Sequence, residues 1–450
     1  MNATSTANAS ISDPEFLLSL REDVAGLPHS GAKEFLDFLR VMWSEGATET
    51  GLRSRFGPRA PISQWLSELA RKGWICYSAV SDGRRLATFI PTSSQTAFDP
   101  LIRLSGGPQA LSRFVLMRRD DRNLVLESPL SASKVLLHDA DAIALAVAFM
   151  TPTCAADVLS RARLRNADTE MVLSILANAG AIVPVDVAGR EQAPVGSDDW
   201  EVHDLFFHSR SRAGRHVNRY GRRRPSGGKP EHLEAQGEPS NGISLYAPDI
   251  DVLKTTDPPF AKVVEERRSI RPAASAAALG LRQLGEFLYR AARWKSDGRR
   301  PYPGAGSCYE LELYLAVRQC IGLEPGFYRY DAAAHRLCRL TEVTPASVEL
   351  LEEARLAAGA SDPPQILVLY AARMQSLTAR YQSIAYALAL KDAGVLQQTM
   401  CLTATAMGLA GCAIGGGNSD VFARASGKDY YIETSVGEFL LGGLPVAENA

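Results

Sequence analysis

Residues 379–417, ARYQSIAYALALKDAGVLQQTMCLTATAMGLAGCAIGGG, join a long helical pattern to three consecutive glycines. Their apolar spacing predicts a helix from about residue 383 to residue 407, with a buried face that carries Ile384, Leu388, Val395 and Leu402. The glycines that follow present bare backbone N–H groups, which suit a flat ligand on which negative charge accumulates. They also fit a simple turn at the C-terminal end of the helix, and the run alone leaves both interpretations open.

Two other stretches add to this pattern. VVEERRSIRP, residues 263–272, alternates Arg267, Ser269 and Arg271, and guanidinium groups with a hydroxyl suit a phosphate without a glycine-rich fingerprint. Alone, it fits a surface patch equally. PYPGAGSCYELELYLAV, residues 301–317, predicts a glycine-rich turn that enters a strand and lets backbone approach a flat ring.

Bulk properties define the class of protein. The chain has 450 residues, 46% of them hydrophobic and 22% charged, so we expect two or three globular domains. A net charge of -1 provides no global field for nucleic acid or an anionic membrane. No apolar run reaches about 18 residues, so we expect a cytoplasmic protein. Seven cysteines without Cys-x-x-Cys spacing predict neither a disulfide framework nor a zinc site, and we expect no metal.

The first half of the chain predicts two small modules. Residues 1–100 show three helices and then a hairpin around Asp82-Gly83, which is the outline of a winged-helix-like module. Residues 101–197 begin with a hairpin about Asp120–Asn123 and continue with helices, as a second winged-helix-like module. Such modules bind DNA, dock an extended peptide or serve as structure; the sparse basic residues disfavour DNA.

Residues 198–245 are predicted to be a linker with a basic arm. Residues 209–230 contain eight lysines and arginines, no acidic residue and a Pro-Ser-Gly-Gly break. The arm suits an acidic leader peptide or a phosphate of a partner subunit, and it also fits a solvated segment. His203 and His208 are interpreted as structural. The Rossmann, Walker and His-Glu-x-x-His motifs are absent.

Five blocks, taken in order between Trp200 and Gly442, resemble the SagB-type dehydrogenases of thiazole/oxazole-modified peptide biosynthesis. The blocks are WEVHDLFFHSRSRAGRH, DPPFAKVVEERRSIRP, YPGAGSCYELELYL, the stretch quoted first, and ETSVGEFLLG. The resemblance implies an α+β, nitroreductase-like FMN dehydrogenase domain over residues 246–450, a homodimer with FMN at the interface, and oxidation of azolines to azoles in a ribosomally synthesised peptide. It also implies that the N-terminal modules recognise the leader of the precursor peptide and that a cyclodehydratase is a partner.

The same resemblance implies the site residues. FMN would be bound by Arg267, Arg268, Ser269, Arg271, Pro303, Gly304, Gly306, Ser307, Gln398, Gly415 and Gly416. The family's catalytic Lys-Tyr pair falls on Arg380 and Tyr381. Because arginine keeps its proton, Tyr381 is the expected proton acceptor, and Arg380 is expected to favour its phenolate electrostatically. Hydride would pass to the flavin, which molecular oxygen would reoxidise.

Two rival functions stay open at this point. One keeps the flavin but changes the reaction to desaturation of another substrate or to NAD(P)H-linked reduction. The other is a non-catalytic scaffold of a peptide-modifying complex.

Overall fold

The computed structural model describes residues 16–21, 33–94, 96–102, 104, 106–192, 194–216, 242–271 and 276–444. The chain forms two compact units, Met1–Asn218 and Arg219–Ala450. Among the described helices, none combines the length and the hydropathy needed to cross a bilayer.

The first unit is built on a six-stranded antiparallel sheet with the order β1-β2-β3-β7-β6-β5, beside a small β4-β8 pair. Its strands are β1 (Leu17–Leu20), β2 (Ile75–Ser81), β3 (Arg84–Pro91), β4 (Gln109–Leu111), β5 (Leu116–Asp120), β6 (Asn123–Glu127), β7 (Ser133–Leu137) and β8 (Ile182–Pro184). Its helices are α1 (Lys33–Ser44), α2 (Glu49–Phe56), α3 (Ile62–Arg71), α4 (Ala140–Val147), α5 (Ala155–Arg161), α6 (Asn166–Asn178) and α7 (Val202–Ser211).

The helices and the two hairpins predicted for this unit are confirmed, whereas strands β1, β4 and β7 were not predicted. Three helices precede the β2-β3 hairpin, whose turn uses positive φ at Asp82 and Gly83, 46° and 77°. Asp121 supplies the positive φ of the second hairpin, 51°. Turn residues with positive φ match the right-handed twist of the flanking strands, which is why these short signals are reliable.

Strands from both predicted modules belong to one sheet. β3 pairs with β7, so that Phe89 lies opposite Val135, and both side chains are completely buried in a common core. The described parts on the two sides of residue 100 are therefore one compact unit, and the winged-helix identity of the modules stays a prediction.

The predicted linker is structured at its start. α7 lies inside it, and Arg210 of this helix forms an ion pair with Glu127 of β6 at 3.0 Å. Of the basic arm, residues 217–230 lie outside the described residues.

The second unit carries a seven-stranded antiparallel sheet with the order β14-β15-β13-β10-β11-β12-β9. Its strands are β9 (Gly242–Ser244), β10 (Leu311–Val317), β11 (Gly326–Asp331), β12 (Arg336–Thr341), β13 (Ile366–Arg373), β14 (Ala410–Ile414) and β15 (Glu433–Gly442). Its helices are α8 (Ile250–Thr256), α9 (Phe260–Glu266), α10 (Leu281–Ala292), α11 (Pro345–Ala358), α12 (Met374–Thr378), α13 (Ala385–Ala406) and α14 (Ser419–Ser426). This mixture of helices with an antiparallel sheet agrees with the predicted α+β class.

Helices cover both faces of this sheet. Leu313 of β10 belongs to the apolar core that includes α10 and α13, whereas Tyr314 belongs to the core on the other side, with α11 and α14. The alternation of leucines in β10 therefore marks one of two buried faces, as expected for a central strand.

The buried face of α13 differs from the prediction. Val395 is 37% exposed, and Ile384, Leu388 and Leu402 are only partly buried. The buried residues are instead Ala385, Ala389, Asp392, Ala393, Leu396, Met400, Thr403 and Ala404. Small alanines alternate with Leu396 and Met400 on the buried face, while Ile384, Leu388, Val395 and Leu402 lie on its flanks. Apolar periodicity alone does not reveal this choice.

Candidate active site

The arginine-serine segment directly follows α9 and lies beside β14. Arg267 is the C-cap of α9, and the N–H of Ile270 donates to the carbonyl of Gly411 at 3.0 Å. The Nε of Arg271 donates to the carbonyl of Ala358 at the end of α11. The predicted phosphate ligands are all exposed or half-buried: Arg267, Arg268, Ser269 and Arg271. Main-chain pairing thus brings this segment next to the strand that leads into the glycine run.

The three glycines form the loop between β14 and α14. They do not end a helix, so the alternative interpretation as a helix C-terminal turn is wrong. A Cβ added to Gly415 would meet nothing within 4 Å, whereas one added to Gly417 would collide with the carboxylate of Glu438. Asn418 caps α14 by accepting the N–H of Val421 at 3.0 Å. The loop is therefore fixed at its end, and a larger residue at position 417 would require the Glu438 carboxylate to move.

A cavity of about 340 Å³ opens between α13, the glycine loop and β15. Its lining includes Tyr386, Leu390, Ala393, Gly394, Gln397, Gly415, Gly417 and Glu438. Gly416 lines a second cavity of about 300 Å³, which also contacts Gly417 and Glu438. Gln398 was the predicted ligand, but it is exposed and lines neither cavity. Its neighbour Gln397 lines the first, because one helical step of 100° separates the two side chains.

Glu438 was not predicted from the sequence. It is 5% exposed on β15 between the two cavities, and burial raises the pKa of its carboxyl to about 7. A buried carboxyl with such a pKa gains and loses a proton near neutral pH. The available signal was a single acidic residue inside the apolar run VGEFLLG.

The predicted catalytic pair lies against the proline-glycine turn. Gly306 and Ser307 have positive φ angles, 54° and 56°. The guanidinium of Arg380 donates to the carbonyl of Gly306, and a Cβ on Gly306 would collide with the hydroxyl of Tyr381. The structure thus brings together the predicted residues Pro303, Gly304, Gly306, Ser307, Arg380 and Tyr381.

Helix α13 lies beside both groups of predicted site residues, the glycine loop and the proline-glycine turn. Oδ2 of Asp392 accepts the N–H of Ala305 at 2.7 Å, which ties the turn to the helix. The next two residues of the helix, Ala393 and Gly394, line the cavity at the glycine loop. That cavity is lined neither by residues of the turn nor by the Arg380–Tyr381 pair. In one chain the predicted residues therefore form two clusters beside α13. The first cluster is the arginine-serine segment with the glycine loop, although the side chains of that segment line neither cavity, and the second is the proline-glycine turn with Arg380 and Tyr381.

The first cluster fits a flat cofactor that carries a phosphate. Arginine forks and Ser269 supply donors for phosphate oxygens. The glycine loop offers backbone N–H groups without a side chain in the way at Gly415, and apolar residues of α13 line the cavity beside it. Among the described residues, no group of histidine, cysteine and carboxylate side chains is arranged for a metal ion.

Comparison with protein families gives two matches. The model of the nitroreductase family matches residues 264–444, which contain both clusters. The model of the cyanobactin oxidase ThcOx matches residues 109–217 in the first unit.

Individual proteins agree with the first match. A nitroreductase-family protein of Methanocaldococcus jannaschii is 30% identical over 178 residues, which is 38% of this chain and 84% of that protein. A nitroreductase structure from Ralstonia eutropha has a TM-score of 0.36 at 19% identity, and covers 46% of this chain and 90% of its own. A chain of the Escherichia coli microcin synthetase McbBCD complex with truncated pro-MccB17 bound has a TM-score of 0.35 at 18% identity. The match covers 49% of this chain and 84% of the matched chain.

A nitroreductase structure from Desulfovibrio desulfuricans contains FMN and has a TM-score of 0.28 at 14% identity. The match covers 43% of this chain and 91% of the matched chain. The match to the nitroreductase family and the relative at 30% identity, of which the alignment covers 84%, show the family of this chain. The chain belongs to the nitroreductase family, an FMN-binding family of oxidoreductases.

Proposed function

We propose that this chain is a SagB-type azoline dehydrogenase, which oxidises thiazoline or oxazoline rings of a ribosomally synthesised peptide to the aromatic azoles. Three features support the proposal. The C-terminal unit belongs to an FMN-binding oxidoreductase family, the first unit matches a cyanobactin oxidase, and the five sequence blocks occur in the order of SagB-type enzymes.

The observation that carries the proposal is the contact between Tyr381 and the glycine turn. The hydroxyl of Tyr381 lies against Gly306, which has no side chain. Arg380 donates to the carbonyl of the same glycine, so both residues of the pair contact the turn. This arrangement suits a proton acceptor whose position must be accurate to a fraction of an ångström.

Tyr381 takes the proton in the proposed reaction. FMN, when bound, supplies the two-electron acceptor for the hydride that leaves the ring carbon. The second hydrogen leaves the ring as a proton, which the oxygen of Tyr381 accepts. Loss of the hydride and the proton makes the ring aromatic. Arg380 keeps its charge throughout, and its guanidinium holds the carbonyl of Gly306 beside the Tyr381 hydroxyl.

The residues proposed to hold FMN are those of the first cluster. Arg267, Arg268, Ser269 and Arg271 would bind its phosphate, with Gly415 and Gly416 near its ring. No residue of the turn lines the cavity at the glycine loop of the same chain. We therefore propose a homodimer in which FMN lies at the interface and contacts the turn of either subunit.

The peptide partner is proposed to dock on the first unit. β1 and β5 are the two edges of its six-stranded sheet, and an extended leader peptide would add to an edge as a further strand. We further propose a cyclodehydratase partner, which supplies the azoline rings, in the cytoplasm.

The test is the visible spectrum of the purified protein, followed by mass analysis of an azoline-containing peptide incubated with it. We expect bound flavin and a loss of two hydrogen atoms per ring. Tyr381→Phe should retain flavin and slow the reaction by roughly 10²–10⁴-fold, as expected for loss of a general base. Tyr431→Phe is the control, because Tyr431 is 85% exposed.

Bound flavin on the protein without a change in the mass of the peptide would refute the proposed substrate and would leave the family assignment in place. A protein that binds no FMN, even when FMN is added, would contradict the enzyme itself and favour a scaffold.

A further inference from the structure

Two buried carboxyl groups lie beneath the proline-glycine turn. Glu310, just before β10, is completely buried, and Asp392 of α13 is 8% exposed. By distance and angle, neither side-chain oxygen of Glu310 has a hydrogen-bond partner among the described residues, although its own backbone N–H lies near enough to lower the pKa of the carboxyl. The polar side chain beside it is the carboxyl of Asp392, which also accepts the N–H of Ala305 at 2.7 Å. A proton shared with Asp392 would give the Glu310 side chain the hydrogen bond that it otherwise lacks.

Such a hydrogen bond requires a shared proton. Two carboxylates in contact away from water do not both ionise, so one of them keeps its proton. Burial, together with the negative charge of Asp392, raises the pKa of Glu310 to about 7. Burial also raises the pKa of Asp392, while the hydrogen bonds from Ala305 and Glu310 oppose that rise. Glu310 is therefore the protonated donor, and Asp392 is the acceptor.

The other groups around the pair leave this proton in place. Arg300, which is buried, faces Glu310 and lowers its pKa, and Lys391 does the same for Asp392. Burial raises the pKa of Tyr302 to about 12, so its hydroxyl stays neutral. Burial also raises the pKa of the Cys308 thiol, which Glu310 and Asp392 both face. The pair thus holds a single negative charge opposite two cations.

We propose that Glu310 and Asp392 are proton-sharing positioning residues that hold the turn Pro303–Ser307 against Tyr381. With the proton present, Asp392 accepts from Glu310 and from Ala305 at once, and the turn is closed. When the proton is lost, the two charges repel, Asp392 withdraws from Ala305, and Gly306 is released from Tyr381. The inference uses the proposed function only for the chemical role of Tyr381.

The direction of the pH dependence follows from the raised pKa. The pKa of the Glu310 carboxyl is about 7 in this structure, where the turn is closed, against an ordinary value of 4.5, and opening of the turn to water should move it toward the ordinary value. The stabilisation of the closed turn is fully present below pH 4.5, is lost as the pH rises to about 7, and is constant above that. Opening should therefore increase up to roughly a hundredfold across this window.

Amide hydrogen exchange of the FMN-loaded full-length protein measures the opening directly. Mass analysis would follow a peptide that covers the turn, corrected for the intrinsic pH dependence of exchange, from about pH 5 to about pH 8. In Glu310→Gln the side-chain amide donates to Asp392 at every pH, so we expect a turn that stays protected without a pH slope. Asp392→Asn should also lose the slope, with weaker protection, and it replaces the first variant if that does not fold.

Glu438→Gln is the matched control. Glu438 is the other buried glutamate whose pKa is raised to about 7, but it lies at the glycine loop, so this variant should keep the wild-type slope at the turn. A wild-type slope in Glu310→Gln, or protection lost at every pH, would overturn the proposal. The readout requires no turnover, so a failure to oxidise azolines leaves its result unaffected and contradicts the proposed function alone.

Discussion

The two glycine loops of the C-terminal unit use glycine for different reasons. At Gly306 the backbone has a positive φ of 54° and lies under the Tyr381 hydroxyl. At Gly417 glycine is favoured because the Glu438 carboxylate occupies the space where a Cβ would lie. The first loop thus depends on backbone conformation and contact together, and the second depends on contact alone.

The buried carboxyl groups beside the two loops, Glu310 and Glu438, also have different surroundings. Burial is the largest cause of the raised pKa of both Glu310 and Glu438, but Glu310 also has the carboxyl of Asp392 as a neighbour, which raises its pKa further. A similar pKa thus arises from burial alone at one loop and from burial with a second carboxyl group at the other. The difference teaches that a perturbed pKa identifies a candidate only after its physical cause is known.

The largest effect is expected from Gly306→Ala. Its methyl group would displace the Tyr381 hydroxyl, and a misplacement of this size costs roughly a hundredfold in turnover. Gly298→Ala is the control: Gly298 has a φ of 74°, but a Cβ there meets nothing within 4 Å. The ratio of the two rates of azoline oxidation isolates the contact from backbone strain. Equal rates would show that contact with Tyr381 is irrelevant.

A smaller effect is expected from Gly417→Ala. Glu438 would have to swing into a cavity, which should lower the free energy of unfolding by about 1–3 kcal/mol and weaken FMN binding. Gly415→Ala, with open space around its methyl group, should change both quantities little. Thermal unfolding and flavin titration measure them. Adding Glu438→Ala to Gly417→Ala should restore part of the stability; no recovery would contradict the collision.

The smallest effect separates two neighbouring glutamines. Gln397 lines the cavity and its Nε2 donates to the carbonyl of Glu438 at 3.4 Å, whereas Gln398 is exposed. Gln397→Ala should weaken FMN binding a few-fold, about 1 kcal/mol, because a single hydrogen bond is involved. Gln398→Ala should leave the affinity unchanged. If flavin titrations showed weaker FMN binding in Gln398→Ala than in Gln397→Ala, Gln398 would be the ligand.

Local patterns were sufficient for the secondary structure of most segments. The Asp82-Gly83 turn, the strand after the proline-glycine turn and the long helix α13 each follow from short-range rules. The buried face of α13 did not follow, because alanines at Ala385 and Ala389 pack against the sheet in preference to larger side chains. Packing distance, and not hydrophobicity alone, selects that face.

The candidate site was predicted in part. The residue types of the arginine-serine segment and of the glycine run indicated phosphate and a flat ring, and the structure brings these segments together through Ile270 and Gly411. Glu310, Asp392 and Glu438 were missed. Glu438 is a single charge in an apolar stretch, whereas Glu310 is followed by Glu312 and Asp392 directly follows Lys391. Sequence alone does not separate a buried carboxyl from one that faces solvent.

The sequence by itself determined the α+β class, the hairpins, the long helix and the family likeness, because these depend on residue types at short, fixed spacing. Tertiary structure alone decided that β3 joins β7 across the two predicted modules, that the site divides into two clusters on α13, and that Asp392 meets Glu310. Each of these depends on contacts between residues far apart in the chain. Such contacts are selected by the packing of whole layers, which no local pattern encodes.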